Sequence, residues 1–313
     1  MEKKRVLVVG GTGYLGQHLL EGLSRAEELG LQRPYDLAYT HHRPAPPREM
    51  TDALAPVLAF RVDLETGQGF DSISETFGQP HVVINCAALS VPLQCEKNPT
   101  YATAINVPSS LVGWLSSFAN NDSLLIHLST DQVYEGVKSF YKEDDEAVPV
   151  NMYGKSKVSS EKFISSNYSN FAILRSSIIY GPQTMSPVSK SLPIQYAVSW
   201  QEVDFFYDEF RCPIYVKDLV NIILILIKKR VSDENPMRLL LNVGGPERVS
   251  RLQMAEKVAD VRGHDSSLIK AVSASSVPDI SMDISRLTQE LGVTPVCFKN
   301  GVQLTFGEAH VEA

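Results

Sequence analysis

Cysteines are few in this sequence, and their positions limit the classes of protein that it can be. Four are present among 313 residues, at positions 86, 95, 212 and 297, without the spacing of a zinc site or a redox pair. A disulfide framework of the kind that holds small secreted domains together is therefore excluded. We expect each cysteine to pack as a small apolar side chain, and we predict no metal site.

Long hydrophobic runs are also missing. The longest apolar stretch, Leu219 to Ile227, contains Asn221 and ends at Lys228, so it is too short to span a bilayer. It predicts a core helix that starts at Asp218. The first five residues lead directly into a strand-like run, which leaves no room for a targeting segment and predicts a cytoplasmic protein.

An excess of basic residues is absent as well. The 29 Lys and Arg are outnumbered by 36 Asp and Glu, which gives a formal net charge of −7. This balance argues against a nucleic-acid partner or an anionic membrane surface. The densest acidic run, Glu143 to Glu146, predicts a solvated loop edge, because contiguous carboxylates in a loop rarely bind a metal.

Strand-like and helix-like segments alternate along the chain. The strand-like runs cover residues 5–10, 35–40, 57–63, 81–86, 124–130 and 171–177. This alternation predicts an α/β fold with a doubly wound parallel sheet of the Rossmann type. We predict a main domain over residues 1–180, to which 216–243 return, and a smaller α/β lobe formed mainly by 181–313.

A glycine-rich turn follows the first strand-like run. It reads Gly10-Gly-Thr-Gly-Tyr-Leu-Gly16, and the next residues have helical spacing. Glycines at such a turn let the backbone approach a pyrophosphate, whose charge the helix N-terminus favours. The spacing departs by one position from the common dinucleotide fingerprint, and a turn without a ligand is the alternative. The residues predicted to bind a dinucleotide here are Gly10, Thr12, Gly13, Tyr14, Leu15 and Gly16.

The end of the second strand indicates which nicotinamide cofactor binds. His41, His42 and Arg43 stand where an acid would accept the ribose 2′-hydroxyl of NAD, and no acid follows Thr40. NADP(H) is therefore predicted, with Arg43 on the 2′-phosphate. A solvated basic loop is the alternative. Asp63 and Leu64, at the end of the next strand, are predicted near the adenine.

Two Tyr-x-x-x-Lys matches are candidates for an acid-base pair. Tyr134 to Lys138 contains a glycine and directly follows a strand, which predicts a loop. Tyr153 to Lys157 has Asn151 as an N-cap and continues as an amphipathic helix. Positions four apart share one helix face, so only the second pair places its side chains together reliably.

The chemistry of the second pair depends on the ionisation of the phenol. A tyrosine hydroxyl has an unperturbed pKa near 10, and we expect the Lys157 charge, an oxidised nicotinamide and a helix N-terminus to lower the pKa of Tyr153. Lys157 can also hold the nicotinamide ribose hydroxyls. Thr130, at the carboxyl end of a strand, offers a hydroxyl to the substrate oxygen.

These motifs together resemble the extended short-chain dehydrogenase/reductase superfamily, in the branch that contains dTDP-4-dehydrorhamnose reductase and the regulatory β subunit of methionine adenosyltransferase. The resemblance implies that Thr130, Tyr153 and Lys157 form the catalytic triad and that Ala87, Ala88 and Asn106 line or support the cofactor pocket. Ser129 is also predicted to bind the cofactor. The resemblance is carried by 10–16, 83–88, 96–99, Asn106, 129–131, 153–157, 174–175, 180–181 and 242–248.

The sequence departs from the reductases at positions that face the sugar in that family. Leu89 and Ser90 replace a His-Thr pair, and Ile178 follows Ser177 where the reductases tend to have tryptophan. Arg211 is predicted on a substrate diphosphate, as in the wider superfamily, with an ion pair to Asp208 or Glu209 as the alternative. The predicted substrate contacts are Ser90, Asp131, Ser177 and Arg211.

The sequence therefore predicts an NADPH-dependent reductase of a keto sugar, with an NADP-binding main domain and a substrate-binding lobe. The resemblance implies that the sugar is linked to a nucleotide. One alternative is a noncatalytic NADP-binding regulatory subunit that partners a methionine adenosyltransferase catalytic subunit. The other is a nucleotide-sugar epimerase or dehydratase, which the missing acid after Thr40 disfavours. The identity of the sugar and the oligomeric state are left open.

Overall fold

The computed structural model describes residues 3–25, 35–120, 122–188, 202–232, 235–274 and 278–307. In chain order the strands are β1 Arg5–Val9, β2 Asp36–His41, β3 Leu58–Arg61, β4 Val82–Asn85, β5 Leu124–Thr130, β6 Phe171–Ser176, β7 Ile179–Tyr180, β8 Val203–Phe206, β9 Phe210–Arg211, β10 Ile214–Tyr215, β11 Arg238–Val243, β12 Val249–Ser250 and β13 Ile269–Val272. The helices are α1 Tyr14–Ser24, α2 Arg48–Leu54, α3 Phe70–Thr76, α4 Pro92–Lys97, α5 Pro99–Asn106, α6 Ser109–Ser116, α7 Met152–Asn167, α8 Val216–Ser232, α9 Arg251–Arg262, α10 Ser285–Leu291 and α11 Phe298–Phe306.

Seven strands form one parallel sheet in the order β11-β6-β5-β4-β1-β2-β3. The order reverses at β1, which lies between β2 and β4. Ligands of such sheets bind beyond the carboxyl ends of the strands at this reversal. The predicted doubly wound α/β fold is confirmed, and the predicted strands match the observed ones apart from their ends.

The central strands β4, β5 and β6 are buried on both faces, as in most parallel sheets, whereas the edge strand β3 is mostly exposed. Along β1, Val6 and Val8 pack into one hydrophobic cluster, whereas Leu7 and Val9 pack into another. Successive strand residues point to opposite faces, so a continuous apolar run fills both clusters. Helices α1 and α8 contribute to the first cluster, and α3 and α6 to the second.

The second half of the chain is divided between the main sheet and a smaller cluster of elements. Strand β11 pairs with β6 at the edge of the main sheet. The short pairs β8 with β13 and β9 with β12 lie outside it. Helix α8 begins at Val216 and not at the predicted Asp218, which lies in its first turn. The Asp218 carboxylate accepts a hydrogen bond from the Val296 amide at 2.9 Å.

The acidic run is not a solvated edge throughout, which corrects the prediction from the sequence. Glu143 is buried and its Oε1 accepts the Asn242 amide of β11 at 2.8 Å. Asp144 stays exposed, and Asp145 pairs with Lys138 at 2.6 Å. The backbone donor to Glu143 lies 99 residues further along the chain, so the local sequence does not reveal this contact.

All four cysteines are free thiols. Within the described ranges, no helix has the length and apolar character needed to cross a membrane. The same ranges contain no group of three or more His, Cys, Asp or Glu side chains arranged to hold a metal ion.

Candidate functional site

The glycine turn is shaped by two close backbone approaches. Gly10 has φ +80°, and a Cβ there would lie 2.9 Å from the Ala87 Cα. A Cβ on Gly16 would lie 2.5 Å from the carbonyl oxygen of Gly10. Both positions therefore require glycine, the first also for its left-handed backbone. Ala87, which the sequence predicts at the cofactor pocket, supports the turn by this contact.

Helix α1 starts at the turn with an open N-terminus. Gly13 is its N-cap and provides no side-chain cap. A Cβ on Gly13 would have only the Gly10 carbonyl oxygen nearby, at 3.3 Å. Amide groups at a helix N-terminus attract anions. The turn can therefore receive a phosphate at Gly13, while Gly10 and Gly16 maintain its shape.

A cavity of about 420 Å³ joins this turn to the predicted acid-base pair. Tyr153 and Lys157 line the same cavity as Gly13, and Arg43 lines it after β2. Its described lining consists of Thr12, Gly13, Tyr14, Leu15, Gln17, Arg43, Pro47, Cys86, Ala88, Ser90, Leu128, Ser129, Tyr153, Lys157, Ser176, Ile179, Ser186, Pro187 and Val188. The carboxyl ends of several strands thus supply one site, as the sheet topology requires.

Several predicted cofactor residues lie outside this lining. His41 is buried, with its Nδ1 2.8 Å from the Arg43 carbonyl oxygen, whereas His42 is exposed. Asp63 accepts the Glu65 amide at 2.9 Å in a turn. The Leu64 carbonyl accepts the Ser110 hydroxyl at 2.5 Å. Among these residues, His41 supports the backbone that carries Arg43.

Asn106 is a supporting residue of the cavity wall. It is fully buried and bonds the Leu89 backbone twice, accepting its amide at 2.8 Å and donating to its carbonyl at 3.1 Å. It also donates to the Ser156 hydroxyl at 2.8 Å on α7. Asn106 thereby fixes the segment after β4, which includes Ala88 and Ser90, against the helix that carries the tyrosine.

Tyr153 and Lys157 lie on one face of α7, where Asn151 caps the helix by accepting the Gly154 amide at 2.8 Å. Lys157 is 2% exposed and donates to the Leu128 carbonyl at 2.6 Å. Burial lowers its pKa to about 8, although the Glu161 carboxylate opposes this change.

The pKa of Tyr153 differs from the expectation based on sequence. Burial raises it, and the charge of Asp131 raises it further, while a hydrogen bond with Thr130 acts in the opposite direction. The protein surroundings in this structure therefore favour the neutral phenol, which can donate a proton. The expectation from the sequence rests on the lysine, an oxidised nicotinamide and a helix N-terminus, and it includes neither the burial of the ring nor the Asp131 carboxylate.

Thr130, Asp131 and Ser177 form a buried chain of hydrogen bonds beside Tyr153. The Thr130 hydroxyl donates to Asp131 Oδ1 at 3.2 Å, and the Ser177 hydroxyl donates to Asp131 Oδ2 at 2.8 Å. Burial raises the pKa of Asp131, although Arg211 opposes this. Of the four predicted substrate contacts, only Ser90 is part of the described cavity lining.

Arg211 forms the ion pair that the sequence left open as an alternative. Its Nη2 lies 3.0 Å from Glu209 Oε1, and its Nη1 donates to the Phe210 carbonyl at 2.7 Å. Glu209 also pairs with Arg251 at 2.8 Å. Buried among these partners, the guanidinium stabilises the Asp131 carboxylate by its charge.

Sequence reasoning misses several residues at the site, among them Gln17, Cys86 and Glu161. Gln17 and Cys86 line the cavity. Glu161, one helical turn after Lys157, accepts the Ser129 hydroxyl at 2.5 Å and pairs with Arg175 at 2.7 Å. The spacing of Glu161 from Lys157 was a usable signal, since it places both on one face of α7. No local pattern marks Gln17 or Cys86.

Known proteins resemble this chain along nearly its whole length. Methionine adenosyltransferase 2 subunit beta of Pongo abelii is 29% identical over 279 residues, covering 88% of this chain and 77% of that protein. The mouse protein of the same name is 27% identical over 314 residues, covering 96% and 86%.

Solved structures share the fold at lower identity. The dTDP-4-dehydrorhamnose reductase of Bacillus anthracis, in complex with NADP, has a TM-score of 0.76 at 21% identity and covers 98% of this chain and 100% of its own. The UDP-glucose 4-epimerase of Thermotoga maritima, with UDP-glucose, has a TM-score of 0.79 at 21% identity, covering 96% and 97%.

A match to a protein-family model shows the family to which this chain belongs. The model described as RmlD substrate binding domain matches residues 4–308. This range includes the glycine turn, the tyrosine-lysine helix and the short strand pairs outside the main sheet. The chain belongs to the RmlD substrate binding domain family, within the extended short-chain dehydrogenases/reductases of the dTDP-4-dehydrorhamnose reductase and methionine adenosyltransferase β-subunit branch.

Proposed function

We propose that this protein is an NADPH-dependent reductase of a keto sugar carried on a nucleotide. The observation that carries the proposal is the single cavity in which Gly13, Tyr153 and Lys157 meet. A dinucleotide whose pyrophosphate lies at the glycine turn has an acid-base pair within the same cavity. The reductase with bound NADP that shares this fold supports the choice of chemistry.

The residues of the chain divide the reaction between them. When bound, the reduced nicotinamide supplies a hydride to the carbonyl carbon. Tyr153 donates its phenolic proton to the carbonyl oxygen, so that a C–H bond and an O–H bond replace the C=O π bond. Lys157 holds the ribose hydroxyls and stabilises the phenolate by its charge. Thr130 hydrogen-bonds the phenol, and Asp131 and Ser177 hold Thr130 in place.

We propose NADP(H) as the cofactor because Arg43 is the cation that lines the described cavity on the β2 side. Arg43→Ala is expected to weaken NADPH binding roughly tenfold or more and to leave NADH binding nearly unchanged, because a guanidinium forks onto phosphate oxygens. Fluorescence titration with both cofactors measures the two constants. Arg48→Ala, on an exposed side chain outside the described lining, is the control. An equal loss of affinity for NADPH and NADH would show that Arg43 does not bind the 2′-phosphate.

A second candidate function is a noncatalytic subunit that binds NADP and a methionine adenosyltransferase catalytic subunit. Two observations favour it: relatives of that name cover most of this chain, and Leu89, Ser90 and Ile178 replace sugar-facing residues of the reductases. Tyr153 and Lys157 nevertheless both line the cavity, and Thr130 hydrogen-bonds Tyr153. These contacts support the reductase as the first proposal. The cytoplasmic location and the domain division predicted from the sequence remain part of what we propose.

One experiment separates these functions. The purified protein is mixed with NADPH and a panel of 4-keto nucleotide sugars, and absorbance of the reduced nicotinamide is followed. We expect oxidation with at least one sugar. No oxidation across the panel, together with capture of a methionine adenosyltransferase catalytic subunit, would favour the regulatory role. NAD retained through purification would instead favour an epimerase or dehydratase.

A further inference from the structure

Gln17 links the two halves of the chain at the cavity. Its Nε2 donates to the Ser186 carbonyl at 2.9 Å and to the Thr12 carbonyl at 3.1 Å. Its Oε1 accepts the Ser186 amide at 2.8 Å. The side chain is 1% exposed. One carboxamide therefore joins the glycine turn to a backbone segment 169 residues away.

The neighbours of Gln17 on α1 hold the same segment at a second point. The Tyr14 hydroxyl donates to the Pro182 carbonyl at 3.0 Å, and His18 Nε2 lies 3.2 Å from that oxygen. Residues 14, 17 and 18 share one helix face, since they are three and four positions apart. This face of α1 is thus a specific attachment site for residues 182–186.

The attached segment forms part of the cavity wall. Ser186, Pro187 and Val188 line the cavity together with Gly13 and Tyr153. The segment follows β7, whose neighbour in the chain is β6, whereas Arg43 follows β2. Strands β6 and β2 lie on opposite sides of β1 in the sheet. The segment thus leaves the main sheet on the β6 side and Arg43 on the β2 side, and both line one cavity.

We propose that Gln17 is a positioning residue for the pyrophosphate and nicotinamide half of the dinucleotide, acting through the segment 182–188. This inference rests on the proposed NADPH binding and deepens it. The Gln17 carboxamide sets the distance between the phosphate-binding turn and the opposite wall. Without the carboxamide, the adenosine half still binds near Arg43, whereas the pyrophosphate and nicotinamide half loses its contacts with the segment 182–188.

Gln17→Leu tests this directly, since leucine has similar volume and removes all three hydrogen bonds. NADPH and adenosine 2′,5′-bisphosphate, which lacks the pyrophosphate and nicotinamide, are titrated by calorimetry. We expect NADPH binding to weaken roughly tenfold or more, and binding of the bisphosphate to stay within about twofold. Gln253→Leu is the control, because Gln253 also accepts a backbone amide, at 2.9 Å from the Ser250 nitrogen, outside the described cavity lining.

The outcomes separate the inference from the function on which it rests. Wild-type affinity of Gln17→Leu for NADPH, or an equal loss for both ligands, would overturn the positioning role. Failure of the wild type to bind NADPH would overturn the proposed function itself. If Gln17→Leu does not fold, amide hydrogen exchange of the wild type decides: NADPH should slow exchange in 182–188, and the bisphosphate should not. Equal protection by both ligands would contradict the inference.

Discussion

Replacing Tyr153 with phenylalanine is expected to reduce turnover at least a hundredfold while NADPH affinity stays nearly unchanged. A positioned acid typically contributes roughly a hundred- to ten-thousand-fold. Phenylalanine removes only the hydroxyl from a ring that is 8% exposed. The hydride donor would still bind, but the developing alkoxide would have no proton donor. Initial rates with the sugar identified by the panel, together with NADPH titration, measure both quantities.

Tyr168→Phe is the matched control for this substitution. Tyr168 is also buried, and its hydroxyl donates to the Ser123 carbonyl at 2.8 Å, outside the described cavity lining. It loses a comparable hydrogen bond without losing a group at the cavity. Unchanged turnover in Tyr153→Phe would refute the catalytic assignment. A similar loss of turnover in both variants would show that general destabilisation causes it.

The main sheet and the glycine turn could be predicted because their signals are local. A continuous apolar run such as 124–130 predicts a buried strand, and β5 has those same bounds. Asn151 is predictable as an N-cap because it directly precedes the helix, and it accepts the Gly154 amide. The cavity also contains Tyr153 and Lys157, which four-residue spacing had placed together.

The rest of the site depends on contacts between distant parts of the chain. Burial and Asp131 determine the direction of the Tyr153 pKa, and neither is visible in the motif around the tyrosine. Ser177 reaches Asp131 across 46 positions. The attachment of Gln17 to Ser186 spans 169. A single sequence carries no periodicity for such pairs, so their partners become known only when the fold brings them together.

The largest loss of stability is expected from Arg175→Met, which should lower the free energy of unfolding by about 3–5 kcal/mol because it leaves a buried carboxylate unpaired. The side chains of Arg175 and Glu161 are 6% and 9% exposed, and their closest atoms lie 2.7 Å apart. Although burial opposes it, Glu161 raises the pKa of Arg175 overall, so this guanidinium remains charged. Arg175 Nη1 also donates to the Tyr134 hydroxyl at 2.9 Å.

Urea unfolding followed by circular dichroism measures this loss, with Arg238→Met as the control. Arg238 is exposed and donates to the Ser165 carbonyl at 2.9 Å, so its substitution should cost under about 1 kcal/mol. The double variant Arg175→Met with Glu161→Gln should recover part of the loss, because no unpaired charge then remains buried. If Arg175→Met is as stable as the control, water must reach Glu161. The Glu161 carboxylate would then not hold the Ser129 hydroxyl rigidly against helix α7.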